Sequence, residues 1–66
     1  MLLTVNGEMR EVDAEITVAG LLDGLGVDPG SVVVERNLTI LKREDHGEET
    51  LASGDTVEII RMVDGG

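Results

Sequence analysis

Residues 1–12 read MLLTVNGEMREV, and this stretch decides the fold that we predict. Asn6-Gly7 between two runs that contain apolar residues is a strong signal for a β-hairpin, because a type I′ turn needs positive φ at both central residues. The two-residue loop sets the register and predicts these opposed pairs: Val5 with Glu8, Thr4 with Met9, and Leu3 with Arg10. Polar residues opposite core residues indicate that the second strand is an edge strand.

A short helix follows in residues 16–30, ITVAGLLDGLGVDPG. Its apolar stripe has the spacing i, i+3, i+4 and i+7 and consists of Val18, Leu21, Leu22 and Leu25. Thr17 is a suitable N-cap, and Gly26 is expected to end the helix. Gly20 and Gly24 either weaken the helix, by about 0.5–1 kcal/mol each relative to Ala, or mark a close backbone approach.

The second half of the chain reads as further strands. SVVVERN (31–37) is a β-branched run, LTILKRE (38–44) continues as a short strand after a turn at residues 36–37, and LASGDTVEIIRMV (51–63) gives a turn at residues 53–55 before the last strand. Residues 44–49, EDHGEE, are expected to form a solvated loop. We therefore predict an α+β fold: a mixed sheet of four or five strands with one main helix, in the β-grasp (ubiquitin-like) arrangement, where the first and last strands pair in parallel at the centre.

Composition narrows the classes of function. The chain has 66 residues, no cysteine and a formal net charge of −9, so we expect one domain without disulfide or thiolate chemistry. With five Lys and Arg residues in total, nucleic acids and anionic membranes are poor partners. The charge either suits a partner with a basic groove or serves solubility alone. Without a signal peptide or an apolar run near about 20 residues, we expect a cytoplasmic protein that is monomeric by itself.

The order of three segments carries a resemblance to a known family. VNGE (5–8), TVAGLLDGLG (17–26) and LASGDTVEIIRMVDGG (51–66) together resemble ThiS, the sulfur carrier of thiamine biosynthesis, within the ThiS/MoaD ubiquitin-like family. The small subunit of molybdopterin synthase is similar in fold and tail but often has Pro-Pro before its last residues. The chain differs from many such carriers in VVVERNLTI (32–40), where they have an Asn-Gly turn.

The resemblance implies what the terminus does. The family's terminal glycine, here Gly66, is adenylylated by an ATP-using ThiF-like enzyme and converted to a thiocarboxylate that donates sulfur, here to a thiazole synthase. The tail would comprise residues 63–66, namely Val63, Asp64, Gly65 and Gly66. The chain would be a carrier and not an enzyme, with no bound cofactor. The alternatives are a molybdopterin-type carrier, a ubiquitin-like protein modifier, or a plain interaction domain with an incidental Gly-Gly end.

Strand parity predicts a docking face. If Val57 and Ile59 point under the helix, the opposite face carries an apolar patch ringed by acidic residues, formed by Ile60, Met62, Leu2, Thr4 and Met9. The alternative, which the sequence supports equally, is that these five residues are ordinary half-exposed positions of a small sheet. Arg61 could hold the tail or a partner carboxylate.

His46 stands among carboxylates, but one nitrogen ligand on a solvated loop does not predict a metal site. The surrounding acidic residues are Glu44, Asp45, Glu48 and Glu49. We therefore expect His46 to be exposed on that loop.

Overall fold

The Asn6-Gly7 hairpin forms as predicted in the computed structural model, which describes residues 1–63. Strand β1 (Leu2–Val5) pairs antiparallel with β2 (Glu8–Glu11), and the register matches each predicted pair. Asn6 and Gly7 have φ values of 49° and 82°, as a type I′ turn requires. The predicted tail residues Asp64, Gly65 and Gly66 lie outside the described residues.

Helix α1 (Val18–Leu25) is capped at both ends by the predicted residues. The Gly20 amide donates to Thr17 Oγ1 at 3.0 Å, and Gly26 ends the helix with a φ of 70°. A Cβ at Gly24 would meet nothing within 4 Å, whereas one at Gly20 would lie 3.3 Å from Ile16 Cγ1 and Thr17 Oγ1. Gly24 therefore only weakens the helix, and Gly20 makes a local close approach to the residues that begin it.

The remaining strands complete a five-stranded mixed sheet of order β2-β1-β5-β3-β4. They are β3 (Val32–Arg36), β4 (Thr39–Leu41) and β5 (Thr56–Arg61). β5 runs parallel to β1 and antiparallel to β3, so the first and last strands pair at the centre of the sheet. This is the predicted β-grasp arrangement, and β2 is an edge strand as expected.

The core lies between one face of the sheet and α1. Its buried apolar residues are Leu3, Val5, Val18, Leu21, Leu22, Val32, Val34, Leu51 and Val57. All but Leu51 come from α1 and from alternate positions of β1, β3 and β5, which is the period-two pattern of a sheet covered on one side. The opposite face has no helix over it in the part of the chain that the structure describes; we call it the open face. No helix within residues 1–63 has the length and apolarity needed to cross a membrane.

The turn between β3 and β4 lies one residue later than predicted. Arg36 remains in β3, opposite Thr39, and the two loop residues are Asn37 and Leu38. Their φ values are 49° and 72°, so this is a second hairpin turn with both central residues left-handed. The prediction missed it because leucine is not a residue that favours positive φ.

The prediction that His46 is exposed in a solvated loop is wrong. His46 is only 4% exposed. The backbone carbonyl of His46 accepts from the Ala19 amide at 3.0 Å, and that of Glu49 accepts from the Val18 amide at 3.0 Å. These carbonyls satisfy amides of the first helical turn that have no partner within the helix, so the loop is held against the start of α1.

Candidate functional site

The C-terminal end of β5 is anchored on the sheet up to Met62. Arg61 pairs with Val32 of β3, and the Met62 amide donates to the Ser31 carbonyl at 2.9 Å. Val63, the next residue, is 90% exposed. The chain thus leaves the hydrogen-bonded sheet within one residue of the predicted tail.

Apolar side chains surround this exit on the open face. Ile60 and Met62 are 46% and 51% exposed, and Val33 lies opposite Ile60 on β3 and is half-buried. We call Val33, Ile60 and Met62 the exit patch. Buried Val57 and half-buried Ile59 point toward the helix, so the predicted parity of β5 is confirmed.

The predicted patch does not form one continuous surface. Leu2 and Met9 are exposed on the open face. Thr4, which follows Leu2 on β1 and is directly opposite Met9, pairs on its other side with Thr56 at the start of β5. Ile60 is four residues further along β5, about 13 Å away at roughly 3.3 Å per residue. The structure therefore separates Leu2, Thr4 and Met9 from the exit patch.

Arg61 lies opposite Val32, so its parity directs it away from the exit patch. Its side chain is exposed, and within residues 1–63 it forms no salt bridge. A role for Arg61 in holding the tail stays a prediction.

Two carboxylates meet in the middle of the open face. Glu35 of β3 is directly opposite Glu58 of β5, and both are half-buried. Like charges at directly opposed positions destabilise a sheet. Neither carboxylate has a cationic partner within the described residues. The structure thus shows one acidic pair on the open face, and a ring of acidic residues around the apolar patch stays a prediction.

A polar cluster at the opposite end of β5 was missed by the sequence analysis. Asp55, 8% exposed, accepts from Arg36 Nε and the Ala52 amide at 2.8 Å each, and from Asn37 Nδ2 at 3.0 Å. Arg36 Nη1 also donates to Glu49 at 2.8 Å. Because these residues are far apart in the sequence, no local pattern marks them.

This cluster shifts the pKa of both charged partners. Burial alone would raise the pKa of Asp55, but the hydrogen bonds from Ala52 and Asn37 and the charge of Arg36 together hold it below the ordinary value. Burial alone would lower the pKa of Arg36, but Glu49 and Asp55 raise it. Both groups are therefore held in their charged forms by the fold.

Nothing in residues 1–63 resembles a metal site. No three His, Asp or Glu side chains there converge on one point. The His46 ring is buried, and neither ring nitrogen has a hydrogen-bond partner among these residues. Glu44, Asp45 and Glu48 are exposed.

Leu38 and Ile40 are further exposed apolar residues that the sequence analysis did not select. They are 90% and 66% exposed. Leu38 borders a shallow concavity with Asn37, Thr56 and Glu58. The available signal was Asn37-Leu38 after a β-branched strand, in the segment where many similar carriers have an Asn-Gly turn.

Comparisons with known proteins agree with this geometry. The model of the ThiS family matches residues 3–66. The crystal structure of a thiamine biosynthesis protein (ThiS) from Geobacter metallireducens superimposes with a TM-score of 0.88 at 39% identity, covering all of both chains. A solution NMR structure of a thiamine biosynthesis protein from the same organism gives a TM-score of 0.79 at 39% identity, covering 100% of this chain and 88% of that one.

Two longer proteins are also similar to this chain over all of its 66 residues. They are thiazole synthases from Paramagnetospirillum magneticum, at 42% identity, and Magnetococcus marinus, at 38% identity. The chain spans only 20% of the length of each.

Proposed function

This chain belongs to the ThiS family, and from that premise we propose that it is a sulfur carrier of thiamine biosynthesis. Its Gly66 carboxylate is adenylylated, converted to a thiocarboxylate, and used as the sulfur donor for the thiazole ring. The chain is a substrate of other enzymes and not itself a catalyst.

The chemistry explains why a bare terminus is suitable. A carboxylate is a poor acylating group, so one of its oxygens first attacks the α-phosphorus of ATP, and the bond from that phosphorus to pyrophosphate breaks. The resulting acyl-adenylate has AMP as its leaving group. Displacement of AMP by a sulfide leaves the thiocarboxylate. The first step needs access to a carboxylate oxygen of Gly66 and the second to its carbonyl carbon, both inside a partner's pocket. Glycine, with no Cβ, lets that pocket close around the backbone.

One observation carries the proposal: the chain is fixed to the sheet through Met62, and Val63 is already exposed. β5 is hydrogen-bonded to strands on both sides, and the Met62 amide adds a bond to Ser31. A partner that binds the sheet therefore receives the tail from a fixed point. Four extended residues reach roughly 13 Å at about 3.3–3.6 Å each.

The exit patch is the surface that we assign to docking beside the tail. Contiguous exposed apolar surface is typical of an interface, and methionine adapts to more than one partner. A carrier must be recognised by an activating enzyme and by a sulfur acceptor, so Met62 beside Ile60 suits this position.

The partners follow from the same reasoning. A ThiF-like adenylylating enzyme would use ATP on Gly66, and a thiazole synthase would take the sulfur. The two similar thiazole synthases support the second partner, because a segment like this chain forms a fifth of each. We propose no bound cofactor, nucleic acid or membrane partner, a monomer in isolation, and a cytoplasmic location.

Mass spectrometry of the intact chain tests the proposal. After incubation with a ThiF-like enzyme, ATP and sulfide, the wild type should gain the mass difference between sulfur and oxygen, and a chain lacking Gly66 should not. An unchanged wild type, or an equal gain without Gly66, would contradict the proposal. Two other outcomes would indicate the alternatives. In a strain that lacks this protein, a molybdopterin-type carrier would restore the synthesis of molybdopterin and not of thiazole. An isopeptide-linked adduct would indicate a protein modifier.

A second variant tests the exit patch. Ile60→Asp should lower the rate of activation at least about tenfold, since a buried interface position would then hold an unpaired charge. Met9→Asp, at the other end of the open face, is the matched control and should be activated like the wild type. Unaltered activation of Ile60→Asp would remove the exit patch from the proposal.

A further inference from the structure

Leu38 combines two unfavourable features at one position. Its φ of 72° lies in the left-handed region, where a side chain with a Cβ atom is crowded against the backbone. Its side chain is also 90% exposed, so no packing within the described residues explains why leucine is there. A large apolar residue held in an unfavourable conformation and presented to solvent points to a contact outside this chain.

The turn that presents Leu38 is held rigidly. Asn37 Oδ1 accepts from the Thr56 amide at 2.9 Å, and the Asn37 amide donates to the Thr56 carbonyl at 2.8 Å. Asn37 Nδ2 donates to Asp55, which Arg36 binds in turn. The polar cluster therefore fixes the turn before any partner arrives, and a fixed side chain loses less conformational entropy on binding.

The surface beside Leu38 carries both apolar and acidic side chains. Ile40, 66% exposed, is opposite Glu35 on the open face, and Glu35 is opposite Glu58. Glu58 also lines the concavity that Leu38 borders. We call Leu38, Ile40, Glu35 and Glu58 the turn surface.

The charges determine what kind of partner fits. A Lys or Arg side chain placed between Glu35 and Glu58 would relieve their mutual repulsion and satisfy both. A second copy of this chain is disfavoured, because each copy carries a net charge of −9. An enzyme that binds the polyanion ATP and an anionic carrier at one site must be cationic near that site, which favours the activating enzyme as the occupant.

We propose that the turn surface is a second docking site for the adenylylating enzyme, on which Leu38 enters an apolar pocket and a Lys or Arg binds the Glu35–Glu58 pair. This inference rests on the proposed function. Thr56, beside Leu38, is six residues from Met62, so Leu38 and the exit lie about 20 Å apart along β5, with the Glu35–Glu58 pair between them and next to the exit patch. Contacts at both ends orient the carrier and direct the tail into the enzyme.

The test separates binding from stability. Pyrophosphate release by a ThiF-like enzyme is measured against carrier concentration for the wild type, Leu38→Asn and Leu38→Met. Asn tolerates the left-handed turn but is polar, so Leu38→Asn should raise the half-saturating concentration at least about tenfold with an unchanged maximal rate. Leu38→Met keeps the apolar side chain and should stay within about threefold of the wild type.

A double variant tests the role of the Glu35–Glu58 pair. Glu35→Gln with Glu58→Gln should raise the half-saturating concentration and reduce its dependence on salt, whereas Asp23→Asn, an exposed charge on α1, should do neither. Urea unfolding should give midpoints for all variants no lower than that of the wild type.

If the half-saturating concentration of Leu38→Asn equals that of the wild type, the inference is overturned. A wild-type chain that releases no pyrophosphate would instead contradict the proposed function, and this inference with it.

Discussion

Replacing Asp55 by asparagine tests how the polar cluster holds β3, β5 and the loop before β5 together. Three donors converge on the two carboxylate oxygens of Asp55: Arg36 Nε and the Ala52 amide on Oδ2, and Asn37 Nδ2 on Oδ1. An asparagine has only one acceptor oxygen. In either orientation its NH₂ group faces at least one of these donors.

The better orientation keeps the oxygen near Arg36 and Ala52 and leaves Asn37 unsatisfied. Rotating the Asn37 amide would not help, because its oxygen already accepts from the Thr56 amide. The variant thus loses one hydrogen bond and weakens a charge-assisted one to Arg36. Hydrogen bonds to charged groups contribute about 1.5–3 kcal/mol, and an unsatisfied donor costs about 1–3 kcal/mol. We expect a loss of about 2–3 kcal/mol, against a total of about 3–10 kcal/mol for a chain of this size.

Urea unfolding followed by far-ultraviolet circular dichroism measures this loss, since the chain has no aromatic residue for fluorescence. In thermal unfolding the same change lowers Tm by about 10–20 °C, at about 4–8 °C per kcal/mol in a small domain. Asp13→Asn, which removes an exposed carboxylate, is the control and should change stability by less than about 0.5 kcal/mol. An Asp55→Asn variant as stable as this control would refute the claim that the polar cluster holds β3, β5 and the loop before β5 together.

Three other predictions concern stability. Gly24→Ala should stabilise the fold by about 0.5–1 kcal/mol in urea unfolding, because its Cβ has free space, whereas Gly26→Ala should destabilise it by about 1 kcal/mol because of the φ of 70°; the opposite order would contradict the helix end described above. His46→Met should be neutral or stabilising by up to about 1 kcal/mol in the same assay, because it replaces two buried nitrogens that have no hydrogen-bond partner within residues 1–63 with an apolar side chain; a large loss would show that the ring is hydrogen-bonded. Because the pKa of Asp55 is lower in the folded than in the unfolded chain, its carboxylate stabilises the fold at pH values above the ordinary aspartate pKa near 3.8. This stabilisation is lost as the pH falls through the lower pKa of the folded state. The urea midpoint should therefore fall more steeply with acid in the wild type than in Asp55→Asn, and parallel curves would be the contrary result.

The parts of the fold that local chemistry determines were predictable from the sequence. Asn6-Gly7 accepts positive φ at both turn positions, which fixed the register of β1 and β2. The apolar spacing in α1, with Thr17 before it and Gly26 after it, determined both ends of the helix. From these elements and the β-branched segments, the parallel pairing of the first and last strands at the centre of the sheet followed from the β-grasp arrangement.

Features that depend on distant partners were not predictable. His46 stands in an acidic, glycine-containing segment that reads as a solvated loop, and its burial results from backbone hydrogen bonds to α1. The position of the second hairpin turn was missed because Leu38 contradicts the residue preference of that turn. For the candidate site, parity identified Ile60 and Met62 as exposed, but only the pairing of Thr4 with Thr56 shows that Leu2 and Met9 lie elsewhere.

The central position of β5 also determines how the molecule responds to a mechanical load. A partner that pulls on the C-terminus first strains the bond from Met62 to Ser31, and then the ladders that join β5 to its two neighbouring strands. Within each ladder, force along the strands loads the hydrogen bonds together and does not open them one after another. A load applied at the C-terminal end of β5 is therefore carried by the centre of the sheet and not by an edge strand.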